Sequence, residues 1–278
     1  TGNCVGDQFT VTITVNPTIQ INDKTPPAIC SRDSFTVIPI NGQNGDEVPN
    51  GMQYTWVVSS NPNVEGESNQ TTPQSSISQV LRNLTTSVQT VEYVVTPIVA
   101  SSCSGGTFRV TVTVNPTPEI ADTNLAICSE DTFTYTPTNT NGNIVPTNTQ
   151  YTWIIKTDNN DITGKSAQAT AQTSFTQTLR NTTNTQKTIV YTLTPISGTC
   201  AGTPFDLTIN VNPTPEIAAK TAAICSAEIF TIAPNHAGNG ALDIVPAGTT
   251  YTWTVAANDN VTGESSVSVA QNSISQQL

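Results

Sequence analysis

Apolar and polar side chains alternate with a period of two in short runs along the chain. The clearest run places Phe108, Val110, Val112 and Val114 on one face and Thr107, Arg109, Thr111 and Thr113 on the other. That is the pattern of a strand with one buried side. Between Pro116 and Pro213, further strands are predicted at Phe133–Pro137, Tyr151–Ile155, Phe175–Leu179, Ile189–Ile196 and Phe205–Val211, with an edge strand starting at Pro118–Ile120. The Asn/Thr/Gly-rich stretch 139–148 and the stretch 159–164 read as a loop and a turn. Six or seven short strands with turn signals between them predict an all-β fold of β-sandwiches.

The pattern repeats. Cys30, Cys128 and Cys225 each sit in an Ile-Cys-Ser triplet, with gaps of 128 − 30 = 98 and 225 − 128 = 97 residues. Cys4, Cys103 and Cys200 form a second column, each two residues before a glycine. Tyr-Thr-Trp recurs at Tyr54, Tyr151 and Tyr251. A fixed period of this size marks a tandem array. The expected divisions are 1–17 as the last strand of a preceding copy, 18–116 and 117–213 as complete copies, and 214–278 as a partial one. On this reading the chain is a window on a longer protein.

Within a copy, a tryptophan on the third strand (Trp56, Trp153, Trp253) suits an immunoglobulin-like plan. So does a tyrosine two residues before an inward apolar position, Tyr93 before Val95 and Tyr191 before Leu193, which predicts a tyrosine corner. Val37 and Val95 occupy the two positions that hold the inter-sheet disulfide of antibody domains, so the core is expected to rest on aliphatic and aromatic packing.

Only 10% of residues are charged and 36% are hydrophobic, which suits sheet rather than disorder. A net charge of −11 argues against a nucleic-acid partner, which requires a basic face. The single histidine, His236, rules out a multi-histidine metal centre, and no Ser-His-acid or Cys-His set recurs. No catalytic residue, cofactor or membrane insertion is therefore expected. Six cysteines in recurring positions without close Cys-x-x-Cys spacing point to disulfides and an oxidising, extracellular compartment.

The string Ile-Cys-Ser-x-[Asp/Glu]-x-Phe-Thr, then Val-Pro, Tyr-Thr-Trp, a Gly-[Glu/Lys]-Ser turn, Val-x-Tyr-x-Val-Thr-Pro-Ile, Cys-x-Gly and Val-Thr-Val-Asn-Pro-Thr-Pro resembles the PKD-like repeats of giant Bacteroidetes cell-surface adhesins. The resemblance implies a non-catalytic stalk or filament on the cell surface, exported by type IX secretion and serving gliding motility or surface attachment. It also implies neighbouring repeats as partners, with surface polysaccharide or the secretion and motility machinery beyond them. One departure is that Val-Val-Ser follows Trp56, where PKD domains carry an acidic turn. A ligand- or glycan-binding module and spacer domains of a large secreted enzyme are the alternatives.

On an immunoglobulin-like sandwich, the first cysteine of a copy lies at the C-terminal pole and the second at the N-terminal pole. A bond within one copy would then cross about 20 Å, beyond the ~7 Å limit between Cα atoms. The expected bond is Cys30–Cys200, from one domain to the next, with Cys103 and Cys128 pairing to other copies. The within-domain pairs Cys30–Cys103 and Cys128–Cys200 are the alternative, if the first strand is shorter or placed differently. Recurring acids, Asp33, Asp131 and Glu228, with Asp23 and Asp122 nearby but Ala219 in the third copy, make calcium candidates of Asp33, Asp131 and Asp122, against a bland reading as solvated turns. The Asx pairs Asn61/Asn63, Asn159/Asp161 and Asn258/Asn260 read as turn formers. Asn-x-Thr sequons at Asn69, Asn83, Asn181 and Asn260 are expected by chance in so Asn- and Thr-rich a chain. The lysines, Lys24, Lys156, Lys165, Lys187 and Lys220, do not recur in register on this reading, which argues against self-formed Lys–Asn crosslinks.

Overall fold

A computed structural model describes residues 2, 4–15, 18–99, 105–236 and 243–278. Every regular element in them is a strand. The chain divides into two compact units, Thr1–Thr117 and Pro118–Leu278.

The first unit holds β1 (Ile29–Cys30), β2 (Ser34–Val37), β3 (Gln53–Val58), β4 (Val64–Glu65), β5 (Gln70–Gln74), β6 (Ile77–Val80), β7 (Arg82–Asn83), β8 (Gln89–Ile98) and β9 (Phe108–Asn115). One sheet runs β1-β9-β8-β3-β5, and β2–β6 and β4–β7 pair separately. Strand β1 lies parallel to β9, with Cys30 opposite Asn115. Strands β8 and β9 are antiparallel, with Val95 opposite Phe108. Burial in β9 follows the alternation read from the sequence, with Phe108, Val110, Val112 and Val114 buried and their neighbours at the surface. These residues share one core with Phe35, Val37, Trp56, Ile77, Leu81, Tyr93 and Val95, so the large sheet and the β2–β6 pair bury one face against each other.

The second unit repeats the plan with β10 (Thr123–Cys128), β11 (Thr132–Tyr135), β12 (Gln150–Thr157), β13 (Ile162–Thr163), β14 (Gln168–Gln172), β15 (Phe175–Thr178), β16 (Arg180–Asn181), β17 (Lys187–Ser197), β18 (Cys200–Ala201) and β19 (Phe205–Asn212). Its large sheet runs β10-β19-β17-β12-β14, with β18 on β17. Trp153, Phe175 and Tyr191 stack edge to face in its core, with centroids 4.9 and 4.8 Å apart. Further along, β20 (Ile229–Ile232) pairs with β23 (Ile274–Gln277), and β21 (Tyr251–Trp253) with β22 (Val267–Gln271). There β21 is paired on one side only and Trp253 stays half-buried, unlike Trp56 and Trp153.

Two strands depart from the sequence reading. The edge strand of the second copy is β10, while Pro118–Ile120 contributes one isolated bridge, Glu119 to Ile144. Strand β14 was not expected at all. Both are edge strands with weak patterns, and only Leu125 and Ile127 of β10 pack on the core. Residues 4–15 carry the alternation Phe9, Val11, Ile13, Val15 but form no strand, and these four side chains are exposed.

The buried tyrosines give the fold an alkaline limit. Burial pushes the phenols of Tyr54 and Tyr151 up from 10.0 to about 12, and those of Tyr93 and Tyr191 higher still. Above pH 10 the unfolded chain releases these protons and the folded chain holds them. Their contribution is therefore complete below pH 10 and lost as pH rises through 12. Ultraviolet tyrosinate absorbance should show these four ionising together with loss of the β-sheet circular dichroism. Full ionisation near pH 10 with the sheet intact would contradict this.

Candidate functional site

The recurring motifs fall into two groups, those consumed by the fold and the cysteines. The Tyr-Thr-Trp, Gly-[Glu/Lys]-Ser and Ile-Ser-Gln strings form one joint. The indole N–H of Trp56 donates to the Ser68 carbonyl at 3.0 Å, Trp153 to Ser166 at 3.0 Å and Trp253 to Ser265 at 3.0 Å. The same serine is gripped by a glutamine of the opposite sheet. Gln79 donates to the Ser68 carbonyl at 2.8 Å and accepts its N–H at 3.1 Å, and Gln177 accepts the Ser166 N–H at 3.0 Å. The glycine two residues earlier has a left-handed backbone (Gly66 φ 94°, Gly164 φ 79°, Gly263 φ 93°).

The expected tyrosine corner is not formed. Tyr93 turns its hydroxyl to the Gln79 side chain at 2.8 Å instead of to nearby backbone. The corner's role falls to a buried asparagine that the sequence reading treated as a chance sequon. Asn83 donates to the carbonyls of Ser87 (2.7 Å) and Val114 (3.0 Å) and accepts from the N–H and hydroxyl of Thr85 (2.9 and 2.8 Å). Asn181 repeats the set with Thr185, Val211 and Thr183. The serine of the first two Ile-Cys-Ser triplets completes it, since Ser31 Oγ accepts the Asn83 N–H at 3.0 Å and Ser129 Oγ accepts the Asn181 N–H at 2.9 Å. The Asn-x-Thr string recurs because threonine closes the turn onto its asparagine. A column comparison of the two copies could have found it.

The acidic candidates do not converge. Asp33 and Asp131 are exposed. Asp23 accepts the Arg109 N–H at 2.7 Å and Asp122 the Asp206 N–H at 2.7 Å, so both position the last strand of their copy. Among the described residues no three His, Cys, Asp or Glu side chains group to hold a metal. The Asx pairs form the expected turns, with Asn61, Asn159 and Asn258 each accepting the N–H two residues on.

The lysine reading is corrected. Lys24 and Lys220 are in register, 220 − 24 = 196 residues apart, and each pairs with a buried aspartate, Lys24 with Asp46 at 2.7 Å and Lys220 with Asp243. Lys220 holds the Asp243 carboxyl below the ordinary carboxylate range. Between them the second copy has Thr123 and Asn143 in the same places, and Asn143 bonds only to backbone, accepting the Ala121 N–H at 3.0 Å and donating to the Thr138 carbonyl at 3.3 Å. Charge is thus gained or lost at both positions together, as burial of an unpaired ion requires.

The cysteines remain. Cys128 ends β10 opposite Asn212, the last residue of β19, whereas Cys200 lies in the β17–β18 hairpin before β19 begins. The eight residues of β19 separate them by about 26 Å, so the within-domain bond Cys128–Cys200 is excluded, and Cys128 is free and exposed. Cys4 and Cys225 are also free, and Cys103 lies outside the described residues. Cys30 and Cys200 are both disulfide-bonded.

The glycine of the Cys-x-Gly motif has its own reason. A Cβ on Gly202 would stand 2.2 Å from the Pro118 carbonyl oxygen, and one on Gly105 2.7 Å from Ile19. The entering segment of each copy passes close over this glycine, and a side chain there would collide with it.

Residues 27–118 and 125–215 each match the model of the PKD-like domain. No curated protein sequence matches the chain. Among solved structures, an I-band fragment of titin is similar at 7% identity, with 84% of this chain and 83% of that one covered and a TM-score of 0.30. The D00–D0 domain of intimin is similar at 13% identity over 70% and 97%, with a TM-score of 0.30. A SusE-like surface-located polysaccharide-binding protein from the Bacteroides thetaiotaomicron heparin utilisation locus is similar at 11% identity over 67% and 32%, with a TM-score of 0.29. The chain thus spans about a third of the last of these.

Proposed function

The chain belongs to the PKD-like domain family, and on that premise we propose that it is a non-catalytic structural segment of a secreted cell-surface adhesin, serving surface attachment or gliding motility. The observation that carries this reading is the use to which the repeated polar residues are put. Trp, Gln, Asn, Ser and Thr of each motif bond to one another or to backbone within their own sandwich. What remains of the repeated pattern is a pair of cysteines at opposite poles, a device for joining copies. A module that repeats its framework and its connectors suits length and cohesion. The disulfide supports an extracellular setting, because such bonds persist where thiols are not kept reduced. Repeats of the same chain are the nearest partners on this reading, with surface polysaccharide or secretion and motility machinery beyond them.

The test is antibody labelling of intact producing cells, with residues 27–215 as antigen, beside a strain deleted for the protein. Labelling without permeabilisation and impaired attachment or spreading of the deletion strain are expected. Labelling only after permeabilisation, or unchanged attachment and spreading, would overturn the proposal.

A further inference from the structure

We propose that Asn50 is a site of spontaneous deamidation, where the next main-chain nitrogen displaces the side-chain amide, and that the fold shields the other described Asn-Gly pairs. This goes beyond the stalk reading and does not depend on it.

The chain contains five Asn-Gly pairs, beginning at Asn41, Asn44, Asn50, Asn141 and Asn239, and the last lies outside the described residues. Such a pair is reactive because glycine has no side chain to hinder the approach of its nitrogen. The nitrogen is also tethered beside its target. In the reaction the Gly51 nitrogen bonds to Cγ of Asn50. The Cγ–Nδ2 bond breaks, and ammonia leaves with the proton of the Gly51 N–H. Water then opens the cyclic imide, at Cγ to give aspartate or at the main-chain carbonyl to give isoaspartate. No oxidant or reductant takes part.

All four described asparagines are exposed, so solvent access does not separate them. Geometry does. At Asn41 both reacting groups are occupied, since its Oδ1 accepts the Val48 N–H at 2.9 Å and the Gly42 N–H donates to the Asp46 carbonyl at 2.8 Å. Asn44 and Asn141 are left-handed, at φ 53° and 55°. A left-handed residue, with ψ about +47°, turns its Cβ nearly opposite the next nitrogen, which keeps Cγ out of reach. The Asn44 carbonyl is held as well, by the Asn22 amide at 2.7 Å. Asn50 has none of these restraints. Its backbone lies outside the left-handed region. Among the described residues no hydrogen bond fixes its side chain or the Gly51 N–H. A Cβ at Gly51 would meet nothing within 4 Å, so the turn has room to rotate into the reactive geometry. Conversion takes the formal net charge from −11 to −11 − 1 = −12, in a loop that already carries Asp46 and Glu47.

Ageing the full chain in mildly alkaline buffer, followed by peptide mapping with tandem mass spectrometry, tests this. Asn50 should convert first, with isoaspartate among its products, and Asn41 should lag it by about tenfold or more. In denaturant, where the fold shields nothing, the four rates should draw together. Asn50→Gln should remove the first acidic band on isoelectric focusing. Asn41 or Asn141 keeping pace with Asn50 in the folded chain would overturn the proposal. So would an unreacted Asn50 in the folded chain, or an acidic band that persists in Asn50→Gln. The same spread of rates in denaturant would trace the difference to local sequence and overturn the shielding. None of these readouts depends on where the protein resides, so failure here is distinct from failure of the cell-labelling experiment.

Discussion

Asn181→Ala is expected to lower the stability of the second sandwich by about 4 kcal/mol. The side chain is wholly buried and makes four hydrogen bonds, two to carbonyls and two from Thr183. Alanine leaves those partners without a substitute. A buried group without a partner costs about 1–3 kcal/mol. The Thr183 hydroxyl retains the Thr185 carbonyl at 3.1 Å, which keeps the sum below the simple total. Against a typical domain stability of about 5–15 kcal/mol, that is a large fraction. Hydrogen exchange on the full chain should show residues 118–215 losing protection while residues 18–99 keep theirs. A change below about 1 kcal/mol would mean that water takes over the abandoned bonds.

Gly164→Ala is expected to cost about 3 kcal/mol, and Gly142→Ala about 1 kcal/mol. Both glycines are left-handed, at φ 79° and 82°, so alanine pays the same conformational penalty at each. They differ in space. A Cβ at Gly142 meets nothing within 4 Å, whereas at Gly164 it would stand 2.2 Å from the Thr178 carbonyl oxygen. That oxygen is backbone in the strand region beside Leu179, and it cannot withdraw without disturbing the sheet. Chemical denaturation of the two variants separates strain from collision. Equal losses would show that the turn moves freely away from the strand.

The period, the sandwich and the core were legible because they are written in alternation and spacing. Trp56, Trp153, Tyr93, Tyr191, Val37 and Val95 are all buried as expected. Edge strands were harder to read, since β10 and β14 have one pairing side each and need little apolar pattern. Asn83 and Asn181 escaped because a buried asparagine and an exposed one share the same local string, and only the fold decides which carbonyls come within reach. The Lys24–Asp46 and Lys220–Asp243 pairs lie 22 and 23 residues apart and are visible only when copies are aligned column by column. That Cys128 and Cys200 are not bonded to each other followed from placing two residues at opposite ends of a strand, a topological argument that survives errors of a residue or two in element boundaries.

The buried Asn-x-Thr strings have a consequence for how the chain is handled during synthesis. An enzyme that attaches sugar to asparagine needs the amide nitrogen exposed, and in the folded sandwich both of its protons are engaged with carbonyls. Asn83 and Asn181 are therefore readable only in a nascent or misfolded chain. Each complete copy thus carries an Asn-x-Thr string that folding itself conceals.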